Sequence, residues 1–194
     1  MANLPSREDA MALLHQYTKT DSLRRHALGV EQAMRKMAQQ YGGNPNEWGL
    51  TGLMHDFDYE MYPSLEDHPY RGNEILKENG WPESITHAIM GHATYAGVPR
   101  DTDMAKALFA VDELTGFIFA VTYVRPSKSI FEVKPKSVKK KLKQKSFAKS
   151  VLREDIFQSI EELGVDMTEH IQFVIDALKE KAEVLGLKGD IEAS

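Results

Sequence analysis

Residues 21–41 read DSLRRHALGVEQAMRKMAQQY. Leu23, Ala27, Val30, Met34, Met37 and Tyr41 recur at steps of three and four, which gathers them on one face of an α-helix. Asp21 or Ser22 is the expected cap, and Gly42-Gly43 ends the segment. The same reading extends outward. Ser6 with Asp9 three residues on predicts a capping box and a helix to about Tyr17. Asn44 followed by Pro45 predicts a capped helix running to about His55-Asp56, with a polar, aromatic loop from Phe57 to Leu65. Asp67 is expected to cap a helix that ends at Asn79-Gly80, and Pro82 to open one carrying Ile85, Ala88, Ile89 and His92. A long apolar helix is expected over about Asp103–Tyr123. A lysine-rich helix is expected from Ser137 to Lys149, then helices over about 153–163 and 168–185, the last capped by Thr168. No period-two run and no internal repeat interrupts the pattern. The expectation is an all-α bundle of about seven or eight helices forming one domain over residues 1–194.

Composition narrows the function classes. The chain has 194 residues, with 24 Lys+Arg against 29 Asp+Glu and a net charge of −5. An apolar content of 42% is enough to build a core, which excludes a disordered chain. No run of about 18 apolar residues occurs, so no membrane span is expected. The first residues lack a basic stretch followed by an apolar core, so no secretory signal is expected. With no cysteine, disulfides, thiolate metal sites and cysteine nucleophiles are excluded, in keeping with a reducing cytoplasm. Any metal site must therefore be built from histidine and carboxylate.

Seven histidines are present, at 15, 26, 55, 68, 87, 92 and 170. His26 sits near the apolar face of residues 21–41, and His55-Asp56 closes the apolar turn Leu53-Met54. Asp112 lies inside the apolar run Ala107–Leu114, and a buried carboxylate is costly unless it is paired or binds a cation. One His on an early helix, a His-Asp pair 55 − 26 = 29 residues later, and an Asp in a later apolar helix resemble the HD superfamily of metal-dependent phosphohydrolases. The resemblance spans roughly residues 20–125, and leaves 125–194 as a basic segment and C-terminal helices packed on that core. It implies that His26, His55, Asp56 and Asp112 converge inside the bundle on a divalent metal. The stretch from Asp67 to Leu76 resembles the His-Pro-x-x-Gly…Ile-Leu segment of members with a second metal, and Ala88–Thr94 resembles the segment that gives that metal another His. The implied set is then His26, His55, Asp56, His68, His92 and Asp112, with Asp56 as bridge. Some relatives pair two histidines near the His92 position, where this chain has Gly91. His15, His87 and His170 read as structural or surface groups.

A mixed imidazole and carboxylate set suits Fe, Mn, Co, Ni or Zn and suits Mg poorly. The resemblance implies hydrolysis of a phosphate ester or anhydride of a small molecule, a nucleotide being one such substrate, by water activated at one or two ions. Asp56 and Asp58 are the catalytic candidates, with Asp58 and Glu60 placed to orient water or act as general base, or else simply solvated. Two alternatives stand beside this reading: a di-iron oxygenase of the same superfamily, and a non-catalytic module that binds a nucleotide or RNA.

Residues 125–149 hold ten basic residues and one acid, Glu132, so this segment is +9 and the remainder is −5 − 9 = −14. Arg125 and Lys128, with Lys134 behind them, are the candidate phosphate ligands, because they closely follow the helix of Asp112. The run Lys139-Lys140-Lys141 reads as a solvated face. Nucleic acid is not an expected partner, since the remainder is acidic and only Phe131 and Phe147 interleave the lysines.

Overall fold

The computed structural model describes residues 4–189. Among these, nine α-helices and two short 3-10 turns are present and no strand, one helix more than the upper expectation. Helix α1 spans Arg7–Tyr17, and the Ser6 hydroxyl accepts the Asp9 N–H at 3.0 Å. Helix α2 spans Asp21–Tyr41, and Gly42 closes it at φ 71°, a left-handed conformation that costs glycine little. Its cap is Thr20, not Asp21 or Ser22. The Thr20 hydroxyl donates to Glu60 instead of capping its own helix. Glu60 also accepts the N–H groups of Lys19 and Thr20 at 2.6 and 3.0 Å, so a distant carboxylate satisfies donors at the helix start.

Helix α3 spans Pro45–Met54, and the Asn44 side chain accepts the N–H groups of Asn46 and Glu47. Helix α4 spans Tyr70–Glu78 and is preceded by Pro69. Asp67 does not cap it, because its carboxylate takes the Ser64 hydroxyl at 2.8 Å. Helix α5 spans Glu83–His92, and α6 spans Asp103–Tyr123 with the Thr102 hydroxyl accepting the Ala105 N–H.

Helix α7 covers only Pro135–Leu142, so the lysine-rich helix stops seven residues before Lys149. The carbonyls of Phe147, Ala148 and Val151 accept from the Arg153 guanidinium rather than from helical N–H groups, and Ala148 adopts a left-handed φ of 42°. Both features belong to a folded-back loop. Helix α8 spans Arg153–Leu163, and α9 spans Met167–Lys179. The cap of α9 is Asp166, whose carboxylate accepts the N–H groups of Thr168 and Glu169, so Thr168 is a helical residue.

The centre of the bundle is α6. It buries 14 of its 21 residues and is apolar nearly all round, as a helix covered on every side must be. Helices α2, α5, α8 and α9 pack around it, while α3 lies along α2. No described helix is long and apolar enough to cross a membrane.

The α2–α3 contact depends on Gly52. A Cβ there would stand 2.8 Å from the Val30 carbonyl oxygen and 2.9 Å from Met34 Cγ. Since one contact is backbone, the helices must separate to admit a methyl group. Gly52→Ala is therefore expected to destabilise the fold by about 1–3 kcal/mol, the usual cost of overpacking. A denaturant midpoint equal to the wild type would refute this close-approach account.

Candidate metal centre

Five segments bring six side chains together. His26 comes from α2, His55 and Asp56 follow α3, His68 precedes α4, His92 is the last residue of α5, and Asp112 lies in the middle of α6. Their ligand atoms form two groups, each within 4.8 Å: His26, His55, Asp56 and Asp112, and Asp56, His68 and His92. Asp56 belongs to both. Its Oδ2 stands 3.4 Å from His55 Nε2, and its Oδ1 stands 3.2 and 3.1 Å from the Nε2 atoms of His68 and His92. Asp112 Oδ1 lies 3.0 Å from His26 Nε2 and 3.1 Å from His55 Nε2.

The histidine tautomers follow from what stands behind each ring. A carbonyl oxygen can only accept, so His55 donates Nδ1–H to Gly52 O at 2.8 Å, and His92 donates Nδ1–H to Ile89 O. His68 donates Nδ1–H to Asp58 Oδ1 at 2.9 Å. Each neutral ring then turns the Nε2 lone pair toward a carboxylate oxygen, and two acceptors that face each other need a cation between them. Two ligand atoms each about 2.1 Å from one ion, at an angle near 90–110°, lie about 3.0–3.4 Å apart. The observed spacings of 3.0–3.4 Å fall in that range, so the residues present fit a divalent transition metal.

Without an ion, a proton must take the place of that cation. Burial opposes charge on His55, but Asp56 and Asp112 outweigh it and hold its pKa well above the usual imidazole range. Burial also opposes charge on His68, yet Asp56 and Asp58 raise it to about 9. Asp56 and Asp112 are held below the usual carboxylate range because the surrounding imidazoles overcome the penalty of burial.

Asp58, expected to orient water or act as base, is fully buried behind His68. One oxygen takes the His68 ring and the other accepts the Gly72 N–H at 2.8 Å. Only glycine fits at position 72, since a Cβ would meet Asp58 Cγ at 2.6 Å. Glu60 is occupied at the start of α2. Arg125 and Lys128 do not reach the cluster. Asp112 is 11 residues before the end of α6 at Tyr123, which is about 16 Å along a helix. Arg125 faces Glu132 at 3.4 Å, and Lys128 and Lys134 are exposed. His87 pairs with Asp101, His15 is exposed, and buried His170 bonds the Ala110 carbonyl.

A cavity of about 620 Å³ opens above His26, Asp56, His68, His92 and Asp112. Its walls include groups that helical periodicity does not mark, namely Tyr59, Tyr95, Glu113, Val151, Leu152 and Asp155. Tyr95 donates its hydroxyl to the His68 carbonyl at 2.9 Å, and burial together with Asp56 and Asp58 pushes its pKa up to about 12. Glu113 accepts the Leu152 N–H at 3.2 Å, and burial, with Asp112 beside it, raises its pKa to about 8. One sequence signal for Glu113 existed, its place beside Asp112 in an apolar run. The loop residues carried none.

Residues 23–115, 93 of the 194 residues, match the family model for the HD domain. HD domains bind divalent metals, in keeping with the cluster. Comparison with curated proteins and with solved structures finds no match.

Two outcomes are expected. Removing the partner behind a metal-ligating His typically costs 10–100-fold in metal affinity, so Asp58→Ala should weaken metal binding by about that factor while the fold persists. Undiminished affinity in a metal titration would remove Asp58 from this role. The second concerns pH. In chelator-stripped protein, the raised pKa of His68 contributes stability that is full below about 6.5 and is lost as pH rises through about 9. Metal binding instead strengthens as protons leave the ligands. The Tm difference between metal-loaded and stripped protein should therefore widen from pH 6 to pH 9; a constant difference would count against ligation by these rings.

Proposed function

Starting from the HD-domain match at residues 23–115, we propose that this chain is a metal-dependent phosphohydrolase. Its substrate would be a phosphate ester or anhydride of a small molecule, and its cofactor one or two ions of Fe, Mn, Co, Ni or Zn. The observation that carries this reading is the double use of Asp56, whose two oxygens face separate groups of imidazoles. That arrangement favours two ions over one.

His26, His55, Asp56 and Asp112 would hold one ion, and Asp56, His68 and His92 the other. When bound, such ions lower the pKa of water to make hydroxide near neutral pH and offset charge developing on a phosphoryl group. The protein keeps the Nε2 lone pairs aimed inward, because Gly52 O, Ile89 O and Asp58 hold the opposite side of three rings. Asp58 is therefore a positioning residue here, and Asp56 remains the carboxylate at the reacting centre. Arg125 and Lys128 are left out of substrate binding in this reading, since neither lines the cavity.

The same four-His, two-Asp set also supports oxygen-dependent cleavage at a di-iron centre. Iron content measured together with oxygen uptake separates that chemistry from hydrolysis.

Asp56→Ala should lose metal and lower turnover on a phosphatase and phosphodiesterase panel by more than about 100-fold, since it removes a shared ligand. His68→Ala should reduce stoichiometry from about two ions toward one. Arg125→Ala should leave kcat/KM within about twofold, as expected for a charge paired with Glu132 and absent from the cavity lining. Full metal content and rate in Asp56→Ala would sink the proposal.

A further inference from the structure

The cavity lacks a feature that most phosphate sites have. Among the described residues, no Lys or Arg lines it, and the eight residues outside the description contain neither. The neighbouring cations are committed elsewhere. Arg153 donates to the carbonyls of Phe147, Ala148 and Val151. Arg100 pairs with Glu162 and the Gly91 carbonyl and lies over the Phe109 ring. Beyond the ligand cluster the lining is apolar at Leu23, Leu65, Val151 and Leu152, acidic at Glu113 and Asp155, and otherwise neutral, with the hydroxyls of Tyr59, Thr94, Tyr95 and Ser150. A carboxyl group is at best neutral and a hydroxyl carries no charge, so this wall offers no positive charge to balance an anion.

From this we infer that the cavity accepts a phosphoric monoester, with one phosphoryl group and an uncharged, partly apolar remainder, and discriminates against di- and triphosphates. The inference rests on the phosphohydrolase reading and narrows its substrate class. Two divalent ions against Asp56 and Asp112 leave a formal +2, which a monoester dianion balances. A single ion would leave zero, and an anion beyond the first would be still less welcome. Each additional phosphoryl group brings at least one further negative charge. It would have to stand against Glu113 and Asp155 with no Lys or Arg in the cavity lining, an arrangement that rejects the wrong ligand by unpaired charge.

Part of the discriminating wall comes from outside the HD segment. Val151 and Leu152 are presented by the loop that Arg153 holds, and Asp155 lies in the first turn of α8. The Asp155 carboxylate has one side-chain hydrogen-bond partner, the Thr94 hydroxyl at 3.4 Å, with the Arg100 charge nearby. It can therefore be exchanged without disturbing the ligands.

The test uses the full chain loaded with Mn. Binding of inorganic phosphate and of pyrophosphate is read as the Tm shift, and kcat/KM is measured for AMP, ADP and ATP. Phosphate should raise Tm more than pyrophosphate, and AMP should exceed ADP and ATP by at least about tenfold, the scale of one missing charge-assisted contact. Asp155→Lys should keep its metal content and shift both preferences toward the more highly charged ligand by about the same factor. Asp155→Asn, a milder change, should shift them in the same direction by less. Wild-type protein that handles pyrophosphate or ATP as well as the monoester overturns the inference. So do unchanged preferences in both Asp155 variants. A loaded protein that neither binds phosphate nor hydrolyses any phosphate compound instead removes the phosphohydrolase reading, and this inference with it.

Discussion

The arrangement on which the rest depends is a carboxylate facing three imidazole lone pairs. Asp56 cannot be satisfied by neutral rings alone, because each ring has already given its one proton to an acceptor behind it. Those acceptors are distributed through the bundle: a carbonyl of α3, a carbonyl of α5, and a buried aspartate before α4. The helices must therefore meet at fixed angles for the cluster to form. The glycines at positions 52 and 72 permit two close approaches, one of a helix against a helix and one of a helix start against a carboxylate. The core supplies rigidity as well as stability, since close-packed interiors transmit small displacements.

The sequence disclosed the helices by period and the cluster by order. Apolar residues at three- and four-residue steps located α2, α5 and α6, and the polar residues embedded in or ending those runs, His26, His92 and Asp112, are brought together. What it did not disclose depends on contacts between distant segments. Glu60 reads as a loop carboxylate until the start of α2 is seen against it, 40 residues away. Asp58 reads as a catalytic group because it is two residues past Asp56, yet the turn after α3 directs it to the opposite side of His68. The extent of α6 misled in the same way. Closeness in sequence to Asp112 means little once a helix has run on for three turns.

The charge separation along the chain also takes a different meaning in three dimensions. The strongly basic segment 125–149 begins beyond the end of α6, and its lysines line an exposed stretch around α7 rather than the cavity. Lys139 reaches the Thr168 hydroxyl, and Lys141 lies 4.7 Å from the Phe147 ring centroid, so part of this charge is tied to the packing of α7 and the following loop.

Arg153 has a consequence for the history open to such a chain. One guanidinium gathers three carbonyls and lies 5.0 Å from the Phe117 ring centroid, which makes Arg153 a main anchor of the 143–152 loop, beside the Leu152 N–H on Glu113 and the Phe147 ring on Phe117. Insertions, deletions and substitutions between Lys143 and Leu152 can alter what the loop presents to the cavity while the anchor stays in place. The six ligands lie on other segments and need not change. The architecture thus places the six clustered side chains and the cavity-facing loop on separate segments, so that the loop can vary while the cluster stays.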